Sequence, residues 1–234
     1  MESESRELMT AQQALTARLT DIDARHWIEQ NAAPYRELMA YYHCAMLEVE
    51  TRFRVLSEGM ALHSAGNPIE SIKTRLKRPE SIVEKLIQNS LPLTVESIEE
   101  NLSDVAGVRV ICSFQSEVYL LADALLRQDG VTLVRRRDYI REPKPNGYRS
   151  LHLVISVPIF LQEKTKHMKV EVQLRTLAMD CWASLEHKLR YKKQRTLSAR
   201  ANEELLACAE IIAALDQRFE EIHEQVQSDD AECG

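Results

Sequence analysis

The sequence predicts an α+β protein with a mixed central β-sheet of about five strands, flanked by long N- and C-terminal helices. Residues 1–62 and 199–227 carry apolar side chains at the three- and four-residue spacing of amphipathic helices. Residues 70–192 instead alternate short β-branched or apolar runs with helical stretches, as a layered α+β core requires. With 234 residues, 44% of them hydrophobic, the chain can bury one substantial core, so we expect a single domain over 1–234.

Two helices are predicted in the N-terminal part. Residues 3–30 are rich in helix formers and contain neither Pro nor Gly. A second helix follows Pro34 and ends near Gly59. Its apolar residues form a heptad-like stripe: Met39, Tyr42, Met46, Val49, Phe53, Leu56 and Met60. Such a stripe more often packs into the core of its own chain than against another subunit.

The central region contains five candidate strands. Four are residues 105–112, 131–136, 149–157 and 168–175, and a short fifth carries Arg75 and Lys77. Strict alternation in 168–175 predicts one apolar face and one polar face. The apolar face is Met168, Val170, Val172 and Leu174, and the polar face is Lys169, Glu171, Gln173 and Arg175.

Helices are predicted between and after these strands. Pro79 begins one over 79–90, a short one follows Pro92, and others cover 115–128 and 177–192. The last is expected to present one apolar face, made of Ala178, Cys181, Trp182, Leu185 and Leu189.

The C-terminal helix is predicted to be long, acidic and amphipathic. Residues 199–234 carry ten acidic residues against two arginines. The apolar positions repeat the stripe spacing: Leu205, Cys208, Ile212, Leu215, Phe219, Ile222 and Val226. Two such helices around a central region can pack on each other or on those of another subunit, and both arrangements stay open.

Composition limits the class of protein. A net charge of −6 argues against general nucleic-acid binding through bulk charge. The five cysteines are odd in number and include no Cys-x-x-Cys pair, which argues against a disulfide framework or a zinc knuckle. No apolar run approaches the roughly 20 residues of a membrane span, and the polar N-terminus does not resemble a signal peptide. We therefore expect a cytoplasmic protein with no membrane contact.

Positive charge is concentrated in one place. Residues 135–149 hold six Lys and Arg against two acids, and Pro143, Pro145 and Gly147 exclude a helix there. This predicts a basic loop between two strands, suited to an anionic, planar ligand such as a nucleotide. For an isolated basic run, a solvated hairpin would be the ordinary interpretation.

Any phosphate must be bound by side chains, because the six glycines form neither a P-loop nor a Rossmann turn. Ser81 and Lys85 lie one helical turn apart beside a predicted helix N-terminus, which itself favours anions. Asp104 precedes a buried strand, and Glu171 belongs to the polar face of another. One acid on each of two adjacent strands is an arrangement that holds Mg²⁺ bound to a polyphosphate.

Together these motifs resemble the small alarmone synthetases of the RelA/SpoT type. The matching motifs are Arg75-x-Lys77-x-x-x-Ser81-x-x-x-Lys85, Asp104-x-x-Gly107-x-Arg109, Arg137-Asp138-Tyr139-Ile140 followed by Pro143-Lys144-x-Asn146-Gly147-Tyr148-Arg149-Ser150-Leu151-His152, and Glu171-Val172-Gln173-Leu174-Arg175-Thr176 followed by Trp182-Ala183-x-x-Glu186-His187. The resemblance implies a nucleotidyltransferase-like synthetase fold and a stand-alone enzyme, because there is no His-Asp dipeptide of the hydrolase domain.

The resemblance also implies a reaction: transfer of the pyrophosphate group of ATP to the 3′-hydroxyl of GDP or GTP, giving (p)ppGpp and AMP. It implies ATP binding by Arg75, Lys77, Ser81, Lys85 and Arg109. It implies guanine-nucleotide binding by Arg137, Lys144, Tyr148, His152 and Gln173. Asp104 and Glu171 would be catalytic and would bind Mg²⁺, with Glu171 also the candidate base. A homotetramer assembled through the flanking helices is implied as well.

Two departures leave finer properties open. Asp180 stands where some relatives have Asn facing the guanine nucleotide, so preference among GMP, GDP and GTP is not settled. Ser71 replaces an aromatic residue of one regulated subgroup, so activation by the product is not expected. The alternatives are an RNA-binding module that uses 135–152 and a catalytically silent paralogue. Asp104 and Glu171 disfavour the RNA module because acids repel phosphate unless a metal lies between them.

Overall fold

The structure is a computed structural model that describes residues 31–62, 66–191 and 197–233. The helix predicted over 3–30 lies outside these ranges. The elements in chain order are α1 (Ala32–Ala61), β1 (Ile69–Leu76), α2 (Pro79–Gln88), α3 (Val95–Asn101), β2 (Ala106–Cys112), α4 (Gln115–Leu126), β3 (Thr132–Asp138), β4 (Leu151–Phe160), β5 (Thr165–Thr176), α5 (Leu177–Tyr191) and α6 (Ala199–Cys233).

The five strands form one mixed sheet in the order β1-β2-β5-β4-β3. Only the β2–β5 pair is parallel; the other three pairs are antiparallel. The predicted α+β class and five-stranded mixed sheet are therefore confirmed. The C-terminal helix is longer than predicted, since it continues past residue 227 to Cys233.

One face of the sheet packs against α1 and α4. Met168, Val170, Val172 and Leu174 of β5 are buried there, as the alternation predicted. The stripe of α1 packs on this face, with Tyr42, Val49 and Phe53 at 1% exposure or less: all belong to the same apolar cluster as the strands. The intramolecular interpretation of the α1 stripe is therefore correct.

The apolar face predicted for α5 is wrong. Trp182 is buried, but Cys181, Leu185 and Leu189 are exposed, the two leucines by 52% and 51%. The helix begins immediately after β5, so its phase is set by the strand end rather than by the count of apolar residues. Met179, Asp180 and Ala183 consequently join Trp182 on the inward side.

Helix α6 packs on the body of the protein through a partly acidic side. Ala209, Asp216 and Glu220 are buried, whereas Leu215, Phe219, Ile222 and Val226 are about half exposed. Glu220 accepts hydrogen bonds from the backbone N–H groups of Gln115 and Ser116, at 2.6 and 3.1 Å, at the N-terminus of α4. A helix N-terminus carries unpaired N–H groups and partial positive charge, so it stabilises a carboxylate. Within the described ranges, no helix is long and apolar enough to cross a membrane.

Candidate active site

Sheet register brings five polar residues into one row across the face opposite α1. Each belongs to a different strand: Lys73, Arg109, Gln173, His152 and Arg137. The adjacent row, two residues along, contains Arg75, Gly107 and Glu171 in register. Side chains two residues apart in a strand point to the same face, so both rows line one surface. The site is thus produced by strand pairing between segments distant in sequence.

Asp104, just before β2, is the centre of the first cluster. Its Oδ2 atom is 2.8 Å from Lys77 Nζ and 2.7 Å from Lys85 Nζ. Burial raises the pKa of Asp104, but the hydrogen bonds and charges of the two lysines outweigh burial and bring the pKa below its ordinary value. Asp104 is therefore a stable anion between two cations.

The other oxygen of this carboxylate is in a different situation. Asp104 Oδ1 is buried and has no hydrogen-bond partner among the described residues. Buried polar atoms of native proteins nearly always have a partner. This atom is consequently available to a group that is not part of the chain, such as a cation.

Glu171 lies on β5, paired in register with Gly107 of β2. The amide of Gln173 donates to its Oε2 at 2.9 Å, and His152 Nδ1 lies 3.6 Å from its Oε1. Burial raises the pKa of Glu171, but the interactions with His152 and Gln173 lower it by more, so the net pKa is below the ordinary value. The charge of Asp104 acts on Glu171 as well, which places the two acids in one electrostatic environment.

A third cluster surrounds Asp180 at the start of α5. Its carboxylate lies 3.2 Å from Arg175, 3.4 Å from Arg109 and 3.2 Å from Lys73. The sequence motifs assign no role to Lys73 or Arg175, and Asp180 differs from the Asn of some relatives. The sequence does contain a signal for Lys73: it lies two residues before Arg75, and side chains two residues apart in a strand share a face.

Tyr148 lies in the loop between β3 and β4, residues 139–150, which we name the acceptor loop. Its hydroxyl accepts a hydrogen bond from Arg175 at 2.6 Å and is 2.8 Å from His152 Nε2. Lys144 Nζ lies 4.9 Å from the ring centroid. Tyr148 is half-buried, because Arg175 and His152 hold its hydroxyl end against the sheet.

The remaining predicted residues lie around these clusters. Arg75 is exposed, and its charge acts on Arg109. Ser81 is half-buried at the third position of α2, the helix that also carries Lys85. Arg137, at the end of β3, donates to the hydroxyl of Tyr139 at 3.3 Å. The roles assigned to these side chains stay predictions.

The donor set fits Mg²⁺ that is bound mainly by a nucleotide. Among the described residues, no group of three or more His, Cys, Asp or Glu could hold a metal. Mg²⁺ usually keeps one or two protein carboxylates and takes its other oxygens from phosphates and water. Asp104 with its unpartnered Oδ1 and the nearby Glu171 meet this requirement. Gly107 lies in the row between Arg75 and Glu171 and adds no side chain there.

Fold and site together define an α+β protein with two acids, Asp104 and Glu171, within a surface of cationic side chains. The family model described as "Region found in RelA / SpoT proteins" matches residues 74–196. The chain belongs to this family. It is 40% identical over 192 residues to GTP pyrophosphokinase YwaC of Bacillus subtilis (strain 168), covering 82% of this chain and 91% of that protein.

Solved structures agree with this assignment. Small alarmone synthetase 1 from Bacillus subtilis, bound to its product pppGpp, has a TM-score of 0.76 and 34% identity, over 82% of this chain and 98% of that one. The same enzyme bound to AMPCPP has a TM-score of 0.69 and 31% identity, over 87% and 99%. The family predicted from the motifs is confirmed.

Proposed function

We propose that this protein is a (p)ppGpp synthetase, a GTP pyrophosphokinase that transfers the pyrophosphate group of ATP to the 3′-hydroxyl of GDP or GTP and releases AMP. The observation that carries this proposal is the pair of acids, Asp104 and Glu171, within one surface of cationic side chains. Similarity to a GTP pyrophosphokinase over most of both chains confirms the enzyme class that the motifs predicted.

The donor nucleotide is assigned to the side of the site near α2. Lys77, Ser81 and Lys85 would contact the phosphates of ATP, and the planar guanidinium groups of Arg75 and Arg109 would lie against adenine. A relative bound to AMPCPP, an ATP analogue, supports a donor site in this fold. Asp104 and Glu171 would hold Mg²⁺, which would neutralise the charge that develops on the phosphates.

The acceptor nucleotide is assigned to the side near the acceptor loop. Tyr148 would stack on guanine, while Arg137, Lys144, His152 and Gln173 would bind the rest of the nucleotide. Lys144 now lies against the Tyr148 ring, so guanine would replace it there and free its ammonium group for phosphate. A relative bound to the product pppGpp supports an acceptor site of this kind.

Glu171 would orient the 3′-hydroxyl and accept its proton. A carboxylate with a lowered pKa is a modest base, so holding the hydroxyl in line with the β-phosphate contributes more than proton abstraction. His152 and Gln173 keep the carboxylate in one orientation from two sides. Positioning and electrostatic stabilisation are the main contributions of a protein to phosphoryl-type transfer.

An assay of the purified protein tests the function. We expect AMP and a 3′-pyrophosphorylated nucleotide to form from ATP and Mg²⁺ with GDP or GTP, and comparison with GMP will define the acceptor range. Omitting the guanine nucleotide is the control and should prevent AMP release. Absence of turnover with all three acceptors would contradict the proposal and favour a silent paralogue.

An RNA-binding module is not supported, since the cationic surface also holds the acids Asp104 and Glu171, which repel phosphate unless a metal lies between them. The same preparation tests this alternative. Binding of RNA through phosphate contacts weakens steeply as salt increases. RNA-independent turnover would be consistent only with the enzyme.

The proposed assembly is a homotetramer whose subunits meet through the outer side of α6. Ile211, Leu215, Phe219, Ile222 and Val226 are between 48% and 68% exposed on that helix, and large apolar patches mark interfaces. Light scattering should give a tetramer for the wild-type protein and smaller species for Phe219→Lys. The control is Gln217→Lys, an exposed position outside the stripe. A monodisperse wild-type monomer at micromolar concentration would contradict the proposal.

We also propose a cytoplasmic location, because ATP and guanine nucleotides are available there.

A further inference from the structure

Gly147 of the acceptor loop lies directly against α6. It has a φ of +87°, and a Cβ atom there would be 2.4 Å from Ala209 Cβ and 3.2 Å from Leu206 Cδ1. Real Cβ atoms do not approach other atoms as closely as the first of these distances. The contact therefore needs a glycine on the loop and a small residue on the helix. Ala209 meets this need and is only 5% exposed.

The next residue, Tyr148, is held from two directions. It packs against the small apolar cluster of Trp182, Ala183 and Ala209. At its other end, the hydroxyl is fixed by Arg175 and His152. The position of the ring is consequently set by α6 on one side and by the sheet on the other.

Helix α6 is itself fastened to the strand that carries Glu171. The hydroxyl of Thr176, the last residue of β5, donates to Asp216 at 2.9 Å. Trp182 Nε1 donates to the backbone oxygen of Leu205 at 2.9 Å. These hydrogen bonds hold α6 in a fixed position relative to β5, the strand that carries Glu171.

We infer that Ala209 is a positioning residue for the acceptor nucleotide. Because its side chain is small, Gly147 can pack closely against α6, and this contact keeps Tyr148 in the position where guanine is to stack. The inference rests on the proposed function, because it uses the assignment of Tyr148 to the guanine nucleotide. A larger side chain at 209 displaces the acceptor loop, while the proposed ATP phosphate ligands, Lys77 just after β1 and Ser81 and Lys85 on α2, keep their positions.

Steady-state kinetics of three variants test the inference. Ala209→Leu is expected to raise KM for the guanine nucleotide by about 5- to 150-fold, the range for loss of base stacking, and to leave KM for ATP unchanged. Ala209→Ser, which stays small, should behave like the wild type. So should Ala214→Leu, an equal enlargement at an exposed alanine of α6. Equal changes in both KM values, or none, would overturn the inference.

Hydrogen exchange without nucleotide gives a readout that does not depend on activity. Backbone amides of residues 139–150 should exchange faster in Ala209→Leu than in Ala209→Ser, and unchanged exchange would overturn the positioning role. Should Ala209→Leu fail to fold, Gly147→Ala creates the same collision from the loop side and is expected to give the same pattern. A wild-type protein without synthetase activity would refute the proposed function, while the exchange experiment would still decide the role of Ala209.

Discussion

Helices α1 and α6 have the same spacing of apolar residues but opposite surroundings. Phe53 of α1 is fully buried, whereas Phe219 of α6 is 49% exposed. The apolar face of the sheet covers the stripe of α1. Helix α6 instead meets Thr176 and the N-terminus of α4, groups that need hydrogen-bond acceptors, so acids face inward and the apolar side chains from Leu215 to Val226 face outward. Spacing thus predicts that a helix has an apolar side, and its neighbours decide where that side points.

The largest expected effect comes from truncating the two phenylalanines. Phe53→Ala should lower the free energy of unfolding by about 3–5 kcal/mol, the usual cost of removing a buried aromatic side chain. This loss should not depend on protein concentration. The loss caused by Phe219→Ala should depend on concentration, because it acts through assembly. Denaturant unfolding at two protein concentrations measures both, and similar concentration-independent losses would remove the distinction between the helices.

Two acids, Asp104 of the site and Asp216 of α6, extend the comparison to charged groups. Asp104→Asn should destabilise the nucleotide-free protein by about 1.5–3 kcal/mol at pH 7, because Lys77 and Lys85 lose their charged acceptor. The pKa of Asp104 is lowered in the folded state, so its contribution is complete above the unfolded value of 3.8 and is lost as pH falls through the lower folded value. Denaturant unfolding of the wild type and of Asp104→Asn, at pH values from 7 down into the acid range, measures this contribution. A deficit of the variant that persists after acidification would contradict the assignment.

The smallest effect is expected at Asp216 on the inner side of α6. Burial raises the pKa of Asp216, and its partners Thr176 and Gln115 are neutral. The charged form therefore costs stability above the raised folded pKa, and this cost disappears as pH falls through that value. Asp216→Asn should be neutral or stabilising at pH 7, by less than about 1 kcal/mol, with no difference in acid. Marked destabilisation at pH 7, measured by the same unfolding curves, would be the opposite result.

Local patterns predicted much of the fold and part of the site. Alternation in β5 identified its buried face and placed Glu171 and Gln173 on the polar one, because a strand has a period of two residues. The cluster around Asp180 could not be derived in this way. It depends on pairing β1 with β2 and β2 with β5, and that register is absent from any single segment.

The direction of α5 and α6 was also beyond sequence patterns. Each has apolar residues on more than one side, and the inward side is fixed by a hydrogen-bonding neighbour or by the end of the preceding strand. Buried acids such as Asp216 and Glu220 contradict the simple rule that charged residues are exposed. They are accommodated because donors from β5 and α4 satisfy them.

The central claim is that Glu171 takes part in pyrophosphate transfer, and Glu171→Gln tests it most directly. The substitution keeps the size and one oxygen of the side chain but removes the negative charge that Mg²⁺ and the hydroxyl proton both require. The described partners of Glu171 are His152 and Gln173, so no Lys or Arg in this contact loses a counter-charge. Glu163→Gln, in the exposed turn between β4 and β5, is the matched control.

The measurement is AMP release from ATP and GDP or GTP, with the melting temperature recorded for each variant. We expect Glu171→Gln to melt near the wild-type temperature and to lose nearly all turnover, while Glu163→Gln keeps both. A Glu171→Gln protein that melts much earlier but retains wild-type turnover per folded molecule would contradict the catalytic assignment and the proposed metal site with it.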